Sequence, residues 1–267
     1  MRNLIVTGMP RSGTSWLGQI INSDPRVRFR TEPLFAYRYK NIINPASSCD
    51  DVNDFINALY DVDDDFILQK ENQKAGFYPE FEKAETRPIM AFKTTRHFEL
   101  LEKYLSCVAD LSIIAIIRHP CATINSWFNS YREFEKKGCQ PQKDWRSGEC
   151  RKNEIGEYWG FNDWLLSTAQ FVQLNKQYKN FHLVRYSDLV ENTNSEVSRL
   201  FIELNLDIQA QTFDFINACN DRHDDDAYSV FKDKKIVNHQ WRDQLDINIV
   251  NTVIQETLAA DLGYFLE

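Results

Sequence analysis

The sequence predicts a three-layer α/β fold, a doubly wound sheet of mainly parallel strands with helices on both faces, built as a single domain. Three observations predict it. Short apolar runs alternate along the chain with segments of helical periodicity. The run "IIAII" (113–117) is continuously apolar, as a strand covered on both faces must be. The first apolar run passes at once into a glycine-containing turn and then a helical pattern.

Taken in order, "NLIVT" (3–7) is the first strand and "GMPRSGTSW" (8–16) the turn that follows it. Trp16, Leu17, Ile20 and Ile21 then recur at helical spacing, and the helix stops before Pro25. "IMAFK" (89–93), "SIIAIIR" (112–118) and "FHLVRY" (181–186) are further strands, each followed by a helical pattern. Sheets of this kind bind ligands at the carboxyl ends of their strands. The segment 135–157 is rich in Lys, Gly and Cys and lacks a clear period, so it reads as an insertion or lid on one domain spanning 1–267. The acidic stretches 50–66 and 221–226 read as solvated faces, and "HDDD" alone is a poor metal signal.

The chain of 267 residues is 43% hydrophobic and 26% charged, an ordinary globular composition without repeats or low-complexity tracts. No apolar run approaches the roughly 20 residues needed to cross a bilayer, and the amino terminus lacks the pattern of a secretory signal. The expectation is a cytoplasmic protein with no membrane partner. A net charge of −8 argues against nucleic acid, whose binding needs many cations, so any anion site is local. The six cysteines form no C-x-x-C pair and no zinc spacing. They are expected as free thiols, although Cys139 and Cys150 bracket a stretch that a disulfide can close.

The turn at 8–16 resembles the phosphate-binding pattern G-x-x-x-x-G-K-[ST]: Gly8, Gly13 and Ser15 fit, and Thr14 stands where the lysine belongs. A glycine turn opening a helix aims backbone N–H groups and the positive end of the helix dipole at one point, which suits an anion even without that lysine. Arg11, inside the loop, can replace the charge with a planar fork. Taken alone, the motif also fits a tight turn with a solvated arginine. A second segment, "IIRHPCATINSW" (116–127), ends a buried strand in Arg118, places Pro120 at the natural first position of a helix, and sets Ser126 eight residues after Arg118.

Together these segments resemble the sulfotransferases that use 3′-phosphoadenosine 5′-phosphosulfate (PAPS). Their 5′-phosphosulfate loop reads P-[KR]-x-G-T-[ST]-W-L, and "PRSGTSWL" matches it from Pro10 to Leu17. The resemblance implies a P-loop nucleotide hydrolase-like fold. It also implies that Arg11, Ser12, Gly13, Thr14, Ser15 and Trp16 bind the nucleotide and that Arg118 and Ser126 hold its 3′-phosphate. "VRYSDLVENTNSEVSRLFIELNL" (184–206) is similar to the family's R-Y-E-D-L segment, which brings Tyr186 to the nucleotide. "KDKKIVNHQW" resembles the carboxyl-terminal loop R-K-G-x-x-G-x-W: Lys234, Lys235 and Trp241 remain while the glycines do not. "SDPRVRFRTEPLF" (23–35) and "AFKTTRHFELLEKYL" (91–105) resemble segments of tyrosylprotein and carbohydrate sulfotransferases. There a glutamate lies by the acceptor and a lysine near the sulfonate, which points to Glu32 and Lys93. Without the resemblance, Glu32 reads as a surface carboxylate and Lys93 as the snorkelling end of a strand.

The implied reaction moves a sulfonate from PAPS to a hydroxyl or amine. Glu32 would serve as base, and Arg11 and Lys93 would supply the positive charge, with no metal. His119 and His239 are rival bases, ranked below Glu32 because histidines at strand ends and in loops are more often structural. The acceptor is expected to be a small neutral or cationic molecule, such as an amine- or guanidinium-bearing natural product, because the acidic stretches repel polyanions. Two alternatives remain: a P-loop kinase using ATP, which the missing lysine and the arginine at the end of "SIIAII" disfavour, and a nucleotide-binding protein without turnover.

Overall fold

The computed structural model describes residues 2–130, 134–224 and 226–267. Five strands lie in one sheet: β1 (Arg2–Thr7), β2 (Val27–Thr31), β3 (Ile89–Thr94), β4 (Leu111–Ile117) and β5 (Phe181–Arg185). They are all parallel, in the spatial order β2-β3-β1-β4-β5. Side chains alternate across this sheet, so Ile5 enters the core on one face while Leu4 and Val6 enter the core on the other. Both faces are covered, which explains why the strands read as near-continuous apolar runs.

Four of the five strands are the ones the sequence predicts. β2 was not among them. It is an edge strand, "VRFRT", in which Arg28 and Arg30 interrupt the apolar pattern. Arg30 is nevertheless buried, because its guanidinium donates to the carbonyls of Phe29, Leu59 and Tyr60. A charged side chain saturated by carbonyls occupies a core position that periodicity assigns to an apolar one.

The helices are α1 (Thr14–Asn22), α2 (Cys49–Tyr60), α3 (Lys70–Lys74), α4 (Leu101–Cys107), α5 (Pro120–Phe128), α6 (Pro141–Asp144) and α7 (Phe161–Gln177). They continue with α8 (Tyr186–Glu191), α9 (Thr193–Glu203), α10 (Ala210–Asp221), α11 (Lys234–His239), α12 (Trp241–Gln244) and α13 (Ile247–Ala259). Residues of α2, α4, α5, α7 and α13 build the core on one face of the sheet, and residues of α1, α8, α9 and α10 build the other. The chain passes from β1 out to the edge strand β2 and steps back to β3 beside β1, then crosses to the other side of β1 for β4 and β5. That reversal opens a crevice at the carboxyl end of β1, where such sheets hold their ligands.

The acidic stretch 50–66 is more than a solvated face. Asp51 and Ser48 form a capping box, and Val52, Phe55, Ile56 and Leu59 bury the inner side of α2. In the second acidic stretch Asp224 accepts from Arg222 and Ser229, and Asp225 lies outside the described residues.

The expectation of free thiols is corrected. Cys49 is bonded to Cys107, which staples the start of α2 to the end of α4, and Cys139 is bonded to Cys150 within the 135–157 segment. Spacing could not reveal the first pair, because 58 residues separate its members and only the packing of α2 on α4 brings them together. Cys121 and Cys219 are free and buried. Among the described residues, no helix is long and apolar enough to cross a membrane.

Candidate active site

The turn at the end of β1 has the geometry of an anion cradle. Arg11 adopts the left-handed conformation with φ 72°, unusual for a residue with a side chain, and Gly13 caps α1 with φ 92°. Gly13 cannot be replaced: a β-carbon there would stand 2.6 Å from the Tyr186 ring. No side chain caps α1, so the amide donors of its first turn remain free to meet an anion. The loop is pinned from behind by Trp127 of α5, whose indole nitrogen donates to Pro10 O at 2.9 Å. Ser12 is buried, and its hydroxyl has no partner among the described residues. Such a hydroxyl is available to a ligand.

Arg118 directly follows β4 and is buried. Its guanidinium donates to Arg11 O at 3.0 Å and to Val237 O at 2.6 Å, lies 4.9 Å over the Tyr186 ring, and leaves Nε without a partner. Burial lowers its pKa below the usual arginine value, and the Arg11 charge adds to this. Arg11 Nε donates to Ser126 Oγ at 3.2 Å, and its NH1 to Ala227 O at 2.8 Å. The structure therefore brings Arg11, Arg118, Ser126, Tyr186 and Gly13 into one cluster, although they come from three separate stretches of chain.

A second cluster stands at the ends of β2 and β3. Lys93 Nζ lies 3.1 Å from Glu32 Oε1 and 3.3 Å from Ser15 Oγ in the first turn of α1. Burial alone would lower the Lys93 pKa, but the Glu32 carboxylate and the Tyr78 phenol outweigh it and raise the value. Glu32 has φ 46° and is gripped from the other side by Thr95, whose N–H and hydroxyl both donate to its carboxylate, at 3.0 and 2.8 Å. Glu32 is thus a held carboxylate rather than a free surface one. Sequence reasoning missed Thr95; its signal was the polar pair that follows Lys93 in "KTTR".

The carboxyl-terminal residues behave differently from one another. Lys234 is buried 5.0 Å over the Trp16 ring and donates to Val230 O and Lys232 O, with burial pushing its pKa down to about 8. Lys235 is exposed. Both line a groove of about 630 Å³ with Trp16, Asn192, Thr193, Asn217 and Asn220. Trp241 stacks on His119 at 4.5 Å. His119 caps α5 by accepting from Cys121 N–H through Nδ1, and burial together with the Arg242 and Arg118 charges pushes its pKa down to about 3. His239 lies against Arg242. Among the described residues, Cys139, Asp144 and Cys150 are the one His/Cys/Asp/Glu group close enough to surround an ion, and its two sulfurs are joined in a disulfide.

A parallel sheet carrying an arginine-bearing glycine loop at its switch point, with a second arginine at the neighbouring strand end, defines an α/β protein of the P-loop-like class that binds an anionic donor. A profile described as the sulfotransferase family matches residues 3–210, most of the chain. The chain belongs to the sulfotransferase family and is an enzyme of sulfonyl transfer. Among solved structures, a mouse sulfotransferase, SULT7A1, complexed with PAP, is similar in fold, with a TM-score of 0.59 at 17% identity, covering 99% of this chain and 88% of that one. Retinol dehydratase in complex with androsterone and inactive cofactor PAP has a TM-score of 0.56 at 11% identity, with 97% and 81% coverage. The sulfotransferase domain of the Synechococcus PCC 7002 olefin synthase has 0.53 at 15% identity, with 97% and 94% coverage. No curated protein sequence matches this chain.

Proposed function

We propose that the chain transfers the sulfonate of PAPS to a hydroxyl or amine of a small acceptor, in a natural-product tailoring step, by in-line displacement with Glu32 as base. The observation that carries this is the Glu32–Lys93 pair at 3.1 Å, set beside Ser15 at the start of α1. When bound, PAPS supplies an activated sulfonate on a phosphate leaving group. The amides from Gly13 to Trp16, with the side chains of Arg11, Ser12, Thr14 and Ser15, hold the 5′ end. Arg118 and Ser126 hold the 3′-phosphate, and the groove lined by Trp16, Lys234 and Lys235 takes the base. The orphaned Ser12 hydroxyl and Arg118 Nε fit such an anion. Tyr186 packs on Gly13 and under Arg118, which positions both. Trp241 acts at one remove, through His119 and α5.

Sulfonate transfer needs the acceptor oxygen or nitrogen aligned with the leaving oxygen and the growing charge on the leaving phosphate neutralised. Arg11 and Lys93 supply that charge. Lys93 bridges Ser15 and Glu32, so the cation at the sulfonate also fixes the base. The two Thr95 donors hold the Glu32 carboxylate in one orientation, and the acceptor proton passes to it as sulfur is attacked. Glu32 is favoured over His119 in that role because the His119 Nδ1 lone pair is occupied by the cap of α5. An acceptor screen with labelled PAPS, over hydroxylated and amine-bearing small molecules, glycans and tyrosine peptides, tests the reading. Sulfonated product from a small molecule supports it, and PAP binding without turnover on any class would establish a binding protein instead.

A further inference from the structure

Two buried indoles each hold a backbone carbonyl of the anion cradle. Trp127 of α5 donates from its ring nitrogen to Pro10 O at 2.9 Å, and Trp164 of α7 donates in the same way to Arg118 O at 3.0 Å. Both carbonyls lie in a short turn where a strand has ended and the next helix has not begun, after β1 for Pro10 and after β4 for Arg118. A buried carbonyl in such a turn needs a donor from elsewhere in the fold. The Thr123 hydroxyl reaches Arg118 O only at 3.5 Å, so the Trp164 indole is the nearer of its two donors.

The rings that carry these N–H groups are themselves fixed, and both lie in the core on the same face of the sheet. Trp127 is parallel to Phe134 at 6.0 Å and meets Trp159 edge-on at 5.9 Å, while Trp164 lies against Phe161 at 6.2 Å. Packing alone asks only for a bulky apolar ring. A buried indole N–H aimed at one carbonyl adds a direction.

The consequence falls on Arg11. Its φ of 72° is a costly conformation for a residue with a side chain, and it persists only where the surroundings hold it. The peptide before Arg11 is held by its oxygen, Pro10 O, through Trp127. The peptide after it is held by Arg11 O through the Arg118 guanidinium at 3.0 Å, and the Arg118 backbone is held in turn by Trp164. Arg11 is thus gripped on both sides, directly by Trp127 and through Arg118 by Trp164.

Resting on the proposed function, we infer that Trp127 and Trp164 are positioning residues for the nucleotide. Trp127 sets the loop that takes the 5′ end, and Trp164 sets the arginine that takes the 3′-phosphate. Each acts through one carbonyl rather than by contact with the nucleotide.

Calorimetry with PAP, 5′-AMP and 3′-AMP on the wild-type protein and on Trp127→Phe and Trp164→Phe tests the inference. Phenylalanine keeps an apolar ring and removes the donor. Trp127→Phe should weaken PAP and 5′-AMP roughly tenfold and 3′-AMP much less, whereas Trp164→Phe should weaken PAP and 3′-AMP roughly tenfold and 5′-AMP much less. Site-specific 3-benzothienylalanine at either position keeps the bicyclic shape and lacks the N–H, so it carries the test, with the same expected pattern, should a phenylalanine variant fail to fold. Wild-type affinities in either donor-free variant, or an equal loss of all three ligands, overturn the inference and return the indoles to core packing. Equal wild-type affinity for PAP and 5′-AMP, measured first, overturns the assignment of Arg118 to the 3′-phosphate and the inference with it.

Discussion

Arg11 Nε donates to Ser126 Oγ at 3.2 Å, joining the loop after β1 to α5 across 115 positions of sequence. Both side chains are proposed to face the nucleotide, and Arg118 donates to the Arg11 carbonyl. A dianionic 3′-phosphate offers Ser126 and Arg118 a stronger partner than the groups they meet in its absence.

Arg118→Ala should therefore weaken PAP binding by about 1.5–3 kcal/mol, and Ser126→Ala by about 1 kcal/mol. Affinity for 5′-AMP, which lacks the 3′-phosphate, should change much less. Calorimetry with both ligands checks this, and equal wild-type affinity for PAP and 5′-AMP would place the phosphate elsewhere.

Glu32→Gln keeps the shape and can still accept from Thr95, but it cannot take a proton. Turnover should fall roughly 100-fold or more while PAP affinity stays near wild type. Normal turnover in this variant would return Glu32 to the role of a structural carboxylate.

With Arg11 and Lys93 as the cations, turnover should persist in excess chelator. Loss of activity that magnesium restores would show that the protein cations do not suffice.

Unfolding in alkylating reagent without reductant should label two cysteines, Cys121 and Cys219, and prior reduction should raise the count to six. Reduction should also destabilise the fold, by on the order of 2–4 kcal/mol for the 58-residue Cys49–Cys107 loop. Mass spectrometry and thermal melts read both effects. Six labelled cysteines in the unreduced protein would indicate a chain held reduced, as the cytosol would hold it.

His119 sets an acid limit on stability. Its pKa is depressed from 6.5 to about 3 in the folded state, so the unfolded chain takes up a proton that the native one refuses. The stabilisation is complete above pH 6.5 and is lost as pH falls from there toward 3, at no more than about 1.4 kcal/mol per pH unit. His119→Asn keeps a cap for α5 but does not titrate, so its stability curve should be flatter over this window. Denaturant titrations at pH 7 and 5 give the comparison.

Several parts of the site were legible because they are local. The glycine loop, the strand ending in Arg118 and the helix opened by Pro120 each lie within a dozen residues, and short-range sterics and capping dictate them. Glu32 and Lys93 drew attention only through resemblance, since nothing in their immediate neighbours separates them from surface charges. Thr95 was not anticipated, because its significance arises from its contact with Glu32, far away in sequence.

By itself the sequence determined the alternation of strands and helices, the open helix start behind β1 and the arginine in place of the loop lysine. These follow from backbone sterics, apolar periodicity and residue chemistry, which act over a few residues. Only the tertiary structure decided that Arg30 belongs in an edge strand, that Cys49 meets Cys107, that Lys234 spends its donors on carbonyls, and that Glu32 is clasped between Lys93 and Thr95. Each of those outcomes depends on which long-range partners the packed sheet brings within hydrogen-bonding distance. Burial then makes the choice decisive, because a polar group removed from water must find a partner wherever the fold supplies one.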